Sequence, residues 1–488
     1  MTAAVKRFST TLLTISVFIL TGGHVTNLQA EANSAGGPAG WGPDVRLTAD
    51  PGESRLSYNF ARSIAADGAG GVHVVWYDTR DGLPQIYYKR SAGGGDAWDD
   101  EVRLSENPAP NGHPSVAVAG STVYVVWHAA RPGKGLFIHF KRSTDGGGTW
   151  GPEVSLTASG TSAVPCAAAA GTRVHVSYGD TRSGYAEMYT RRSTDGGETW
   201  DPEVRLSDAP FESWVPTLAA SGDQVYAAWV DYQDANEEEY FRRSTDGGLT
   251  WGPVTRLTFD AADSWAPSLA AIGETVHLAW FDRRDAGLTE ADVERALDEA
   301  LRLVGRTPEP APPRDPAVYY LPPFFERVQK KVQQLQAAAP AWVRAGGDLQ
   351  QLEAILQEFQ RRMQAWSTGW EIYYKRSTDG GETWGPDVRL TDAPQPSARP
   401  SLAVYETGVH VVWFDGRDKD GGAEVYYKHS PDGGETWGPD TRLTFAAGDS
   451  SHPGVAVNGR GLHVVWHDER DGNPEIYYKR HPAVAPGR

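Results

Sequence analysis

Apolar and polar residues alternate in short runs through most of the chain, and each run stops at Gly, Asp, Pro or Asn. Residues 400–444 show the unit plainly: Pro400-Ser-Leu-Ala-Val, then Val409-His-Val-Val-Trp-Phe-Asp, then Glu424-Val-Tyr-Tyr-Lys. A Gly-rich turn follows, and Asp440-Thr-Arg-Leu-Thr closes the unit. A period of two bounded by turn-forming residues predicts β-strands, here four to a unit. The second strand ends in an aromatic at Trp76, Trp127, Tyr178, Trp229, Trp280, Trp413 and Trp466, which counts seven units.

The turn is itself repeated. Ser-x-Asp-Gly-Gly-x-Thr-Trp begins at Ser143, Ser193, Ser244, Ser377 and Ser430, and a worn copy runs from Ser91 to Trp98. Starts fall 52, 50, 51, 133 and 53 residues apart, a period of about fifty with one interruption. Such a period means stacked supersecondary units, none able to bury its apolar face alone. The prediction is an all-β fold, a seven-bladed β-propeller of four-stranded blades. The last unit stops after Glu475-Ile-Tyr-Tyr-Lys, and Trp41-Gly-Pro-Asp-Val-Arg-Leu-Thr reads as an isolated fourth strand. The N-terminal strand is therefore expected to complete blade seven and close the ring, which removes exposed sheet edges.

The turn has a physical logic. Ser and Asp side chains bond nearby backbone N–H groups, the Gly pair takes positive φ, and Thr and Trp start the next strand. With Asp145, Asp195, Asp246, Asp379 and Asp432 at its third position, it resembles the Asp-box, or bacterial neuraminidase repeat, of the sialidase-like superfamily. The resemblance implies fold more than chemistry, because Asp-boxes occur in sialidases, other glycosidases, sorting receptors and assembly factors. Sialidase catalytic domains typically have six blades, and the count here is seven.

Blade five is interrupted after Asp282-Arg-Arg-Asp-Ala-Gly and resumes at Trp370-Glu-Ile-Tyr-Tyr-Lys. Thr289-Glu-Ala-Asp292 predicts a helix cap, with Val293, Leu297, Leu301 and Val304 at helical spacing after it. Beyond a Pro-rich connector, Pro308 to Pro316, a second helix carries Phe324, Val328, Val332 and Leu335. A third carries Leu349, Leu352, Leu356, Phe359, Met363 and Trp366. Residues 287–369 thus read as a helical insertion, either packing its own apolar faces or serving as a lid or protein-binding arm.

Composition narrows the class. Residues 1–30 read as a secretory signal, with Lys6 and Arg7, an apolar stretch from Thr11 to Leu20, and Ala30 before a cut. Residues 31–40 form a linker, 41–480 the propeller and 481–488 a tail. A secreted or periplasmic protein with no membrane anchor is expected. Cys166, the one cysteine, excludes an internal disulfide and stands where other blades carry Ser or Thr. A formal charge of −17 argues against nucleic acid as a partner. No cofactor or metal is expected.

Candidate chemistry sits on the face away from the Asp-box turns, where second strands end and first strands begin. The loop after strand two carries Asp78/Arg80, Asp180/Arg182, Asp282/Arg284, Asp415/Arg417 and Asp468/Arg470, while Gln233 and Ala129 break the pattern. Repetition points to loop-bracing ion pairs. Histidines 73, 175, 277, 410 and 463 also repeat and read as strand packing. Where the first strands begin, Arg62, His113, Trp214, Trp265, Arg399 and His452 depart from the repeat.

In sialidases an arginine triad grips the substrate carboxylate, an Asp is acid/base, and a Tyr activated by Glu is the nucleophile. By that resemblance Arg62, Arg80, Asp81 and Arg399 are candidate catalytic residues. His113, Trp214, Trp265, Arg284, Arg417, His452 and Arg470 are candidate ligand contacts. Arg62 stands where the sialidase Arg-Ile-Pro signature begins, without its Pro, and no Tyr/Glu pair departs from the repeat. The implied function is recognition of a glycan or acidic sugar, with exo-α-sialidase-type hydrolysis. A non-catalytic scaffold and a propeller polysaccharide lyase, which would use His, Tyr and Arg, are the alternatives.

Overall fold

The computed structural model describes residues 37–57, 62–209, 211–233, 236–306, 323–418 and 422–482. The signal segment, the Pro-rich connector, residues 483–488 and the side chains of Phe324 and Trp366 lie outside them. The described chain divides into two compact units, one of residues 29–282 and 371–488 and one containing residues 283–370.

The larger unit is a seven-bladed β-propeller of antiparallel sheets. Blades two to six each take four consecutive strands, as in Ser397–Tyr405, Gly408–Asp415, Glu424–Ser430 and Thr441–Arg442 of blade six. In blade one the first strand is split, and Ser54–Arg55 and Ile64–Ala66 both pair with Val72–Asp78. In blade seven Ser450–Asn458, Gly461–Asp468 and Glu475–Pro482 share a sheet with Val45–Arg46, where Val45 faces Tyr478.

The repeated turn does what its residues dictate. In the copy at Ser143, Gly147 N–H donates to Ser143 Oγ at 2.8 Å and Thr149 N–H to Asp145 Oδ1 at 2.9 Å. Asp195, Asp246, Asp379 and Asp432 accept from their own Thr N–H in the same way. Glycine at the turn's second Gly position answers a close approach. A Cβ on Gly147 would lie 1.8 Å from Tyr88 Oη in the preceding blade, and one on Gly197 2.6 Å from Phe140. The motif Trp then packs edge-on against that same aromatic, Trp150 on Tyr88 at 4.8 Å and Trp437 on Tyr374 at 4.9 Å. Trp41 meets Tyr427 likewise at 5.2 Å.

Strand histidines pack as their repetition implies: Nδ1 of His73, His277 and His463 each meets a tyrosine hydroxyl at 2.7 Å. A third-strand cation also reaches back one blade. Lys375 Nζ donates to Leu257 O at 2.6 Å, and Lys89 Nζ to Leu47 O at 2.8 Å.

The smaller unit holds three helices, α1 (Glu290–Leu303), α2 (Pro323–Arg344) and α3 (Leu349–Thr368). Thr289 and Asp292 form the capping box at α1, and the Asp348 side chain caps α3. Val293, Leu297, Leu301, Val328, Val332, Leu335, Leu352, Leu356 and Phe359 make one buried cluster. Glu294 and Asp298 on α1 hold Lys331 on α2 at 2.5 and 2.7 Å. The helices therefore bury their apolar faces on one another.

Two outcomes follow. Deleting residues 31–48 removes the strand paired with Glu475–Pro482 and should lower the thermal midpoint and promote self-association through the bared edge. A melt and light scattering check this, and an unchanged monomer contradicts it. Replacing residues 287–369 with a short Gly linker should leave a cooperatively melting propeller, because each unit has its own core. A non-cooperative melt contradicts that.

Candidate functional site

Paired Ser and Asp residues, such as Ser397 with Asp415 and Ser450 with Asp468, put first-strand starts and second-strand ends on one face. There each second-strand Asp is buried. Asp78 accepts from Ser54 Oγ at 2.7 Å and Trp76 Nε1 at 3.2 Å, and the Asp415 and Asp468 carboxylates repeat the arrangement. Blade two has Ala129 at this place, and Asn111 takes the Trp127 N–H instead, at 3.0 Å.

The repeated arginines complete this brace. Arg80, Arg182, Arg417 and Arg470 each place a guanidinium nitrogen 2.6 Å from the carboxylate two residues before them. Each also pairs with an acid nearer the outer edge, respectively Glu101, Glu203, Asp440 and Asp44. Each lies 4.2–4.6 Å over a third-strand tyrosine ring. Asp81 belongs to a second repeated set. It accepts from Tyr87 Oη at 2.8 Å and pairs with Arg103 at 2.9 Å, as Asp418 does with Tyr426 and Arg442. Arg284 starts a short 3-10 turn, Arg284–Ala286, of the helical unit.

Charge balance follows these contacts. Burial pushes the Asp180 carboxyl up, but hydrogen bonds from Arg182, Ser162 and Thr161 outweigh it and hold the group down to about 2. Asp231, whose blade has Gln233 in place of Arg, is raised, because there burial wins.

The starts of the first strands are strained. His113, Val164, Val215, Ala266, Arg399 and His452 all adopt φ of 52–60°, and each precedes a proline. Left-handed backbone at a residue with a side chain costs about 1–3 kcal/mol, and such strain concentrates at functional sites. A bulge accompanies it in each blade, as between Ala398 and Ser401 or Ser451 and Gly454. Bulges re-aim side chains. The conformation is common to six blades, but the residue is not: blades three to five carry Val, Val and Ala, whereas blades six, seven and two carry Arg399, His452 and His113.

Those three form one cluster with residues that the sequence pattern did not single out. Arg399 Nη1 donates to His452 Nε2. That makes His452 Nδ1 the protonated nitrogen, donating to Ser451 Oγ at 3.1 Å, and Ser451 Oγ lies 2.7 Å from His467 Nε2. The His452 and His467 rings stack at 4.4 Å, and His113 and His128 lie 4.9 Å apart. His113 Nδ1 meets Ser57 Oγ at 3.4 Å, and Tyr77 lies 6.3 Å from the His113 ring. Burial first, then the charges of Arg399, His467, Arg55 and His113, hold His452 well below the usual imidazole value. Burial brings His128 to about 4 and His467 to about 3. A cleft of about 20 Å³ opens here, lined by Ser57, Ser63, Arg399, Pro400, Ser401, His452, Pro453 and Gly454, none of them acidic.

The remaining candidates lie in other registers. Trp214 and Trp265 are part-buried one residue before the strained position, Trp265 edge-on to Phe281 at 5.9 Å. Arg62 stands where the other blades have the proline, and its Nη2 donates to Leu269 O in blade five at 2.6 Å. Hydrogen bonds from Arg62, Arg80 and Arg399 go to different partners. No group of three or more His, Cys, Asp or Glu could hold a metal, and no helix is long and apolar enough to cross a membrane, among the described residues.

Comparison with protein families and with curated proteins finds no match. Among solved structures the fold resembles an ulvan lyase of polysaccharide lyase family PL25, at 10% identity and TM-score 0.54, covering 89% of this chain and 95% of that one. A protein of unknown function from Dyadobacter fermentans matches at 11% identity and TM-score 0.48, covering 90% and 98%. A mutant sialidase from Trypanosoma rangeli matches at 11% identity and TM-score 0.44, covering 92% of this chain and 60% of that one. The likeness to the ulvan lyase is one of fold alone.

The imidazoles set an acid limit. Neutral in the fold and basic near pH 6.5 when unfolded, they leave stability intact above about pH 6.5 and erode it as pH falls toward about 4 and 3, the folded values of His128 and His467. His467→Phe, the blade-six pattern, should flatten that decline in urea midpoints. An unchanged acid slope contradicts it.

Proposed function

We propose that this chain binds an acidic glycan at the Arg399–His452–His467 cluster and cleaves it by β-elimination. The observation that carries the reading is an arginine paired to a neutral imidazole at two strained positions, backed by further histidines and a tyrosine. A uronate carboxylate takes Arg399 as a bidentate partner. Arg399 then leaves His452 Nε2, whose lone pair becomes free to act as base. That nitrogen removes the proton on the carbon bearing the carboxylate. The C4–C5 double bond forms, the bond from C4 to the glycosidic oxygen breaks, and that oxygen takes a proton from Tyr77.

A sialidase would need carboxylic acids in the same cleft, and none of the described lining residues is acidic. This favours elimination over sialoside hydrolysis. The fold likeness to an ulvan lyase is compatible with either chemistry, and the residues carry the choice.

The turns are Asp-boxes on this reading, supported by the Ser–Asp–Thr hydrogen bonds. The N-terminal strand closes the ring, supported by the pairing of Val45 with Tyr478 and the seat of Trp41 on Tyr427. The helices are an insertion in blade five, supported by their place in the chain between Thr275–Asp282 and Glu371–Ser377. The chain is exported, as residues 1–30 suggest.

Hyaluronan and other uronate polymers should yield the ultraviolet absorbance of an unsaturated uronate, and fluorogenic sialosides should stay intact. Arg399→Ala and His452→Ala should each lower the rate at least a hundredfold, the scale of a lost acid–base group. Arg182→Ala should change it only a few-fold. Sialoside cleavage, or full activity in Arg399→Ala, overturns the proposal.

A further inference from the structure

Among the described residues, two exposed large aromatic side chains lie side by side on the propeller. Tyr185 and Phe211, 49% and 44% exposed, lie with ring centroids 6.3 Å apart, and Phe211 lies 6.3 Å from Tyr232. Single exposed apolar residues are ordinary, whereas contiguous ones mark a contact surface. Tyr185 follows Arg173–Asp180 of blade three, and Phe211 precedes Ser213–Ser221 of blade four. The pair therefore stands on the face that carries Arg399 and His452, since Ser213 pairs with Asp231 and Ser162 with Asp180 at that same end.

Their loops are fixed in place. Ser213 N–H donates to Ala186 O at 2.8 Å, tying one loop to the other. The Tyr185 loop is anchored by Arg182 on Asp180 at 2.6 Å. Holding two rings in place beforehand reduces the ordering cost of binding.

We propose that Tyr185 and Phe211 form a second sugar subsite, which stacks the apolar face of an uncharged pyranose belonging to the chain whose acidic unit sits at Arg399. This rests on the acidic-glycan reading above and deepens it. Charge selects the occupant. Near Tyr185 in sequence, Arg182 is shared by Asp180 and Glu203, and near Phe211 Arg205 is shared by Glu187 and the exposed Asp208, two carboxylates to each guanidinium, so a carboxylated sugar is repelled there while a neutral one is not. The substrate is then a heteropolysaccharide in which uronate alternates with an uncharged sugar, gripped at an internal position rather than at a terminus.

The test is binding to the full chain by calorimetry, with hyaluronan disaccharide and octasaccharide, which alternate glucuronate with an uncharged sugar, and with a polygalacturonate octamer. The wild type should prefer the hyaluronan octasaccharide. Tyr185→Ala/Phe211→Ala should weaken that octasaccharide about tenfold and leave the disaccharide unchanged, and Phe211→Tyr alone should keep most of the affinity. Arg399→Ala should weaken every probe. Loss with Arg399→Ala but none with the double variant overturns the subsite alone. A lowered melting temperature with unchanged affinity assigns the rings to loop packing and also overturns it. Binding of none of the probes by the wild type overturns the acidic-glycan reading and the subsite together.

Discussion

In six of the seven blades a buried carboxylate at the end of the second strand holds the blade together. Asp78, Asp415 and Asp468 collect a first-strand serine, their own blade's tryptophan N–H and the loop arginine, so one group ties two strands and a loop. A buried charge of this kind is tolerable only when fully bonded. The arrangement of donors is thus a constraint on sequence, and it accounts for the recurrence of Asp-x-Arg. Blade four shows the converse: without the arginine, the Asp231 carboxyl is pushed up.

Because the brace fixes the strand ends, the neighbouring bulge can carry strain. Six blades hold a left-handed residue before proline, and the cost is met by the sheet on either side. The conformation is a property of the fold, but the side chain displayed there is free to vary around the ring. Apolar residues occupy one arc, and arginine and histidines occupy the other. Function on this scaffold is written by substitution at fixed, preorganised positions.

Much of this was legible in the sequence. Alternation, the seven second-strand aromatics and the Gly-Gly turns give the blades, and helical spacing gives α1 to α3, because local pattern and burial agree in both. The site was legible only in part. Arg62, His113, Trp214, Trp265, Arg399 and His452 look equivalent along the chain, but they fall in different registers, and only His113, Arg399 and His452 share the strained one. A one-residue shift at a bulge changes which way a side chain faces. His128 and His467 were missed, although a signal existed. Each follows the second-strand Trp, where blades one, four, five and six have Tyr77, Val230, Phe281 and Phe414. Arg55 gave no signal, because the split first strand of blade one has no counterpart in the repeat.

The central claim is that ligand chemistry resides where blades depart from the repeat and not in the repeated braces. Histidine-selective NMR reads this directly, since imidazoles occur in both settings. Titration with a glucuronate oligosaccharide should shift the ring signals of His452, His467, His113 and His128 and leave the strand histidines His73, His277 and His463 unmoved. Shifts confined to the strand histidines, or a bound ligand that moves none of the four, would contradict the account.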